Sequence, residues 1–143
     1  MLRKLREHTS EGQGGFSLIE LLVVILIIGV LAAIALPAFL GQREKGQDSS
    51  AKSAARNLVS SVESFYATNK TYVGAASDQD VQKSGVFGTG NGEADIVDVT
   101  ANSYKVVGKS ASGNLFTISK SGSTVTRDCT TTNKGGCPSS GNW

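Results

Sequence analysis

Histidine is almost missing from this sequence: the single example, His8, lies close to the N-terminus. Beyond it, an enzyme that needs a histidine base or histidine metal ligands has no residue to use. Cysteine is scarce, with Cys129 and Cys137 alone. Two thiolates without a neighbouring histidine do not close a four-ligand zinc site, so no metal is expected. Charge of one sign is lacking as well. The net charge is +2, from 14 Lys and Arg against 12 Asp and Glu. Arg3, Lys4, Arg6, Glu7 and Glu11 all precede residue 16, which leaves the remainder close to neutral. That balance gives no basic stripe for tight nucleic-acid binding, and no specific nucleic-acid partner is expected. Two prolines and 17 glycines among 143 residues point to one domain's worth of chain with many turns.

A long apolar run is what stands out. Leu21–Gly41 contains no charged residue and is dominated by Leu, Ile, Val and Ala. As a helix it is about 31 Å long, matching the hydrocarbon core of a bilayer. The basic residues before it predict a cytoplasmic N-terminus and an exported remainder. An ordinary secretory signal fits poorly, because the polar spacer Glu11-Gly12-Gln13-Gly14-Gly15 separates the basic residues from the apolar run. A carboxylate, Glu20, then sits at the edge of the run. Insertion of a charge costs about 2.5–3.5 kcal/mol, so Glu20 needs a partner. Breaking the chain after Gly15 would create one, a new α-amino group at Phe16 about one helical turn away. A neighbouring copy shifted along its axis would bring amine and carboxylate together more completely. A plain signal anchor with Glu20 at the headgroups is the alternative.

The segment Gly15-Phe16-Ser17-Leu18-Ile19-Glu20-Leu21-Leu22-Val23-Val24-Ile25 resembles the class III signal of type IV pilins and the related pseudopilins. The likeness is close from about Gly14 to Pro37 and architectural beyond. It implies cleavage of Gly15–Phe16 by a membrane aspartyl prepilin peptidase and N-methylation of Phe16. It also implies a role for Glu20 in docking an incoming subunit by pairing with a neighbour's Phe16 amine. The expected partners are further copies of the chain in a helical filament, the peptidase, an assembly platform with its ATPase and, before assembly, the inner membrane. No cofactor and no enzymatic activity are expected. Gly29 and Pro37 fit the same frame: proline leaves the Ala33 carbonyl without its helical donor, predicting a kink, and glycine weakens the helix interior. In filaments of the family the segment between such residues can lose its helix, so Gly29–Pro37 is the expected melting zone. The frequency of both residues in membrane helices is the plainer explanation.

Past Gly41 the chain turns polar but keeps a 3.6-residue period through Ala51, Ala54, Ala55, Leu58, Val59, Val62, Phe65 and Tyr66. One helix is predicted from Phe16 to Asn69, with bends at Gly41 and Gly46 and with Lys52, Arg56 and Glu63 on its other faces. Residues 70–95 are expected to be a loop. Short β-branched runs follow at Ile96–Val99, Tyr104–Val107, Leu115–Ile118 and Thr124–Arg127, joined by Ser/Gly/Asn turns. The expected fold is therefore α+β: a long N-terminal helix packed on a small antiparallel sheet of three or four strands. Its divisions are a leader over 1–15, a transmembrane and polymerisation helix over 16–41, and an exported head over 42–143. The head comprises helix 42–69, loop 70–95, meander 96–128 and a tail 129–143. Cys129 and Cys137, beyond a membrane span, read as a disulfide, with two free thiols the alternative.

Other motifs carry less. Gly88-Thr89-Gly90-Asn91-Gly92 lacks the lysine and the strand-to-helix setting of a phosphate loop. The Asn69-Lys70-Thr71 glycosylation sequon is short enough to arise by chance. Asp78, Asp80, Glu93, Asp95 and Asp98 suit a solvated surface better than a calcium site. Arg43, Lys45, Lys52 and Arg56 are interspersed with Glu44 and Asp48, as on a solvent-facing helix rather than a DNA contact. The reading this supports is a type IV pilin; a pseudopilin of type II secretion or of a competence pilus, and an anchored head that never polymerises, are the alternatives.

Overall fold

The computed structural model describes residues 15–143. All but the last residue of the expected leader, 1–15, lies outside them. Helix α1 spans Leu18–Asn69 and includes Pro37. The helix continues without interruption through Gly41 and Gly46, where bends are expected from the sequence. Contacts divide the chain into an N-terminal unit that ends at Ala38 and a head, Phe39–Trp143.

In the N-terminal unit α1 has no core to serve. Leu22, Ile25, Ile28, Leu31 and Ile34 are all exposed, as the apolar composition on every face demands. The helix is long and apolar enough to cross a membrane, and none of its apolar window is buried.

The head is built on the apolar stripe. Ala51, Ala54, Ala55, Leu58 and Val62 are buried, while Val59, Phe65 and Tyr66 pack partly covered at the margin. Against the stripe lie β1 (Ala94–Val99), β2 (Ser103–Lys109), β3 (Leu115–Ser121) and β4 (Thr124–Cys129). They form a four-stranded antiparallel meander in chain order. Strand alternation directs Tyr104 and Val106 of β2, and Phe116 and Ile118 of β3, into the core. Gly108 lets sheet and helix meet closely. A Cβ there would collide with the Ala51 carbonyl oxygen and sit 3.2 Å from the Ala55 Cβ.

The segment 70–95 is more structured than a loop. A 3₁₀ turn covers Ala75–Ser77, and a one-turn helix α2 covers Gln79–Gln82. Asp78 caps α2, its Oδ1 accepting from the amides of Asp80 and Val81 at 3.0 and 3.1 Å. Tyr72, inside the expected loop, is a core residue stacked on Tyr66 at 4.4 Å and edge-on to Tyr104 at 4.9 Å. Buried Tyr72, Ala75 and Val81 anchor this segment to the head.

Candidate functional site

Phe16 is 88% exposed, and α1 begins two residues later. Ser17 acts as the N-cap: its Oγ accepts the Ile19 amide at 3.2 Å. Glu20 answers by accepting the Ser17 amide at 2.8 Å, which makes Ser17-Leu18-Ile19-Glu20 a capping box. The S-x-x-E spacing is the local sequence signal for this contact, which gives Glu20 a backbone donor where a cleavage-generated amine is expected. In the uncleaved chain the Phe16 nitrogen belongs to a peptide bond and carries no charge. The expected ion pair requires the Gly15–Phe16 bond to be broken. Farther along, Gly29 and Pro37 both lie within α1, and a Cβ added at Gly29 would meet nothing within 4 Å.

The head holds a second polar site that sequence reasoning missed. Asp48, expected on a solvent-facing surface, is 0% exposed. Its Oδ1 accepts the Ser110 hydroxyl at 2.6 Å and also the Ser112 hydroxyl. Its Oδ2 accepts the Asn114 amide at 2.9 Å and the Gly136 backbone amide at 2.7 Å. Three segments thus converge on one carboxylate: α1, the β2–β3 turn, and the loop closed by the disulfide. Burial pushes the Asp48 pKa up, but the four hydrogen bonds outweigh it and hold the carboxyl below its ordinary value. Lys52, one turn on, donates to the Gly136 carbonyl at 2.6 Å. Burial lowers the Lys52 pKa, the charge of Asp48 opposes that shift and Arg56 adds to it.

Cys129 and Cys137 are joined, with an S–S distance of 2.02 Å and Cα atoms 5.8 Å apart. The loop they close is glycine-rich where it meets Asp48. Gly135 has a φ of 58°, and a Cβ there would strike the Asp48 carboxylate.

Glu63 is the other convergence point, expected on an outer face but half-buried. It accepts from the Tyr104 hydroxyl at 2.9 Å, the Tyr72 hydroxyl at 3.1 Å and the Lys120 ammonium at 2.7 Å. Burial raises its pKa, and the hydrogen bonds from Lys120, Tyr104 and Tyr72 bring it below the usual value. The acids weighed as a calcium site are dispersed. Asp78 caps α2, Glu93 accepts the Gly90 amide at 2.7 Å, and Asp98 pairs with Lys105 at 3.3 Å. Among the described residues no three His, Cys, Asp or Glu side chains gather as metal ligands.

A family model described as Prokaryotic N-terminal methylation motif matches residues 12–36, the stretch containing Gly15, Phe16 and Glu20. A fimbrial protein of Pseudomonas aeruginosa is 31% identical over 124 residues, covering 77% of this chain and 80% of that protein. The chain belongs to the type IV pilin family. The methylation motif ends before the head of this pilin, but the Pseudomonas alignment is long enough to reach well into it. A type IV major pilin of Neisseria gonorrhoeae is 42% identical over 71 residues, 46% of this pilin and 43% of its relative. A fimbrial protein of Neisseria meningitidis is 41% identical over 76 residues, 49% of this chain and 45% of that protein. The chain thus spans less than half the length of these neisserial relatives. No solved structure matches the chain significantly. The matched relatives are named as fimbrial proteins and major pilins, which favours the pilin reading over the pseudopilin one.

Proposed function

We propose that this pilin is the structural subunit of a type IV pilus, made as a precursor and polymerised through its N-terminal helix. Residues 1–15 are the leader, 16–41 the transmembrane and polymerisation helix, and 42–143 the exported head. A membrane prepilin peptidase cleaves Gly15–Phe16, and Phe16 is then N-methylated. The subunit waits in the inner membrane with its N-terminus cytoplasmic until an assembly platform and its ATPase extract it into an extracellular filament. The observation that carries this reading is the N-terminal stretch of α1, residues 21–38, apolar on every side and uncovered within its own chain. Such a surface is satisfied by lipid and then by other copies of itself, so moving between the two changes apolar burial little. Polar contacts can therefore set the axial register. The capping contact keeps Glu20 hydrogen-bonded while the subunit is in lipid, and the amine freed at Phe16 is a stronger, charged partner. Gly29–Pro37 is the proposed zone of helix loss during assembly.

Mass spectrometry of pili sheared from cells tests the processing. The expected N-terminus is Phe16 carrying one methyl group, and retained residues before it would refute the leader. Glu20→Ala should remove most of the shed filament while the processed subunit accumulates in the membrane. An undiminished filament yield would end the docking role given to Glu20.

A further inference from the structure

Two unmatched surfaces lie on opposite flanks of the head's helix. The first runs beside β4. Arg127 pairs across the sheet with Ile118 and Val125 with Lys120, so both share the face that packs on α1. Yet Thr124–Asp128 is exposed throughout, with Val125 at 51%, because α1 covers the sheet only as far as β3. Cations collect at this uncovered margin. The Arg56 and Arg127 guanidinium groups lie 5.1 and 5.7 Å from the Trp143 ring centroid, and the Lys52 ammonium lies 5.4 Å from it. Among the described residues no carboxylate stands within ion-pair distance of Arg56 or Arg127.

The second surface is concave and acidic. A cavity of about 250 Å³ opens between α1 and α2, lined by Ser61, Ser64, Phe65, Thr68, Asp78 and Asp80. Asp78 spends only Oδ1 on capping α2. Asp80 is exposed, and among the described residues it has no ion pair. At about 100° per residue, the Lys52–Arg56 flank and the Ser61–Ser64–Thr68 flank lie on either side of the buried stripe, separated by roughly 130° around α1. A cationic ridge and an acidic hollow on opposite sides of one molecule suit a heterologous contact. Repeated without ring closure, that contact generates a helical filament.

We propose that heads meet head to tail, the Arg56–Arg127–Trp143 ridge of one copy seating against the Asp78–Asp80 hollow of the next. The occupant of each surface is a second copy of this chain, and the inference rests on the filament reading above. Charge complementarity across the contact provides orientation and register, whereas the N-terminal helices provide most of the cohesion.

Charge reversal in the full chain tests the contact, with sheared filaments measured by immunoblot and electron microscopy. Asp80 is used because Asp78 is needed to cap α2. Arg127→Glu and Asp80→Lys are each expected to lower filament yield at least fivefold while membrane-held subunit levels stay constant. The double variant should return to within twofold of the unaltered chain. Full yield from both single variants, or a double variant no better than either alone, overturns the contact. If the ridge instead serves a polyanion, Arg127→Glu will weaken retention of intact filaments on heparin at unchanged yield, and the proposal also fails. Absence of filaments from the unaltered chain would refute the filament reading itself, a result distinct from every outcome above.

Discussion

Asp48 occupies a position on α1 flanked by residues that look solvated, yet it is buried beneath partners 62, 64, 66 and 88 positions away. Nothing local distinguishes it from Glu44, which is partly exposed and lies 3.9 Å from Lys134. Only the return of the β2–β3 turn and the disulfide loop makes it a core residue, and for that reason it was not legible. Removing the carboxylate leaves the buried Ser110 hydroxyl and Asn114 amide, and the partly buried Ser112 hydroxyl and Gly136 amide, without their acceptor. Asp48→Ala should therefore cost on the order of 3–5 kcal/mol, measurable by urea unfolding of the head. The linkage to pH follows from the direction of the shift. With the folded pKa depressed, Asp48 contributes stability that is fully present above its unfolded pKa of about 4. That contribution is lost as pH falls through the lower folded value. Asp48→Asn keeps the shape but cannot titrate, so its melting temperature should fall less than that of the unaltered chain between about pH 4 and pH 2. Parallel melting profiles would contradict this account.

The elements were legible in proportion to their periodicity. α1 announces itself by an apolar run and then a 3.6-residue stripe, and the burial of Ala51, Ala54, Ala55, Leu58 and Val62 follows that stripe. The strands were read from β-branched alternation, although β1 begins at Ala94 and β2 extends to Lys109, beyond their most apolar residues. Hydrogen bonding, not composition, sets those ends. Segment 70–95 carries more structure than the expected loop because one-turn helices are too short to show a period, and a capping Asp78 looks like any surface acid. At Gly108 the strand residue is buried because it has no side chain. Gly108→Ala would push its new methyl into the Ala51 carbonyl, forcing helix and sheet apart. Such overpacking typically costs about 1–3 kcal/mol. Chemical denaturation of the variant should show a loss of that size, and an unchanged midpoint would mean that the two elements can separate freely.

For the whole molecule, the division at Ala38 has an energetic meaning. The N-terminal unit exposes its apolar surface, whereas the head encloses its own core and its own disulfide. A chain beginning at Phe39 should fold without detergent, with the Cys129–Cys137 bridge formed. Circular dichroism would check its folding, and gel filtration its size. Its subunit contacts should be far weaker than those of the full chain, because most of the cohesive surface is gone. Filament formation by such a fragment would shift the weight of assembly from α1 to the head contacts.

Composition and local pattern alone specify a polar stretch ahead of a membrane-length apolar run, a carboxylate at the edge of that run, and a strand-rich head after it. Each is a short-range property, written in composition, period or a contiguous motif. Tertiary structure alone decided which charges are buried. Asp48 and Glu63 acquire their roles from donors brought together across the fold, and Arg56 and Arg127 share one indole because β4 extends past the helix. The capping box at Glu20 was written locally, in Ser17-Leu18-Ile19-Glu20. The physical difference is range: local patterns fix the elements, while the partners of a charge depend on contacts that exist only after the chain has closed on itself.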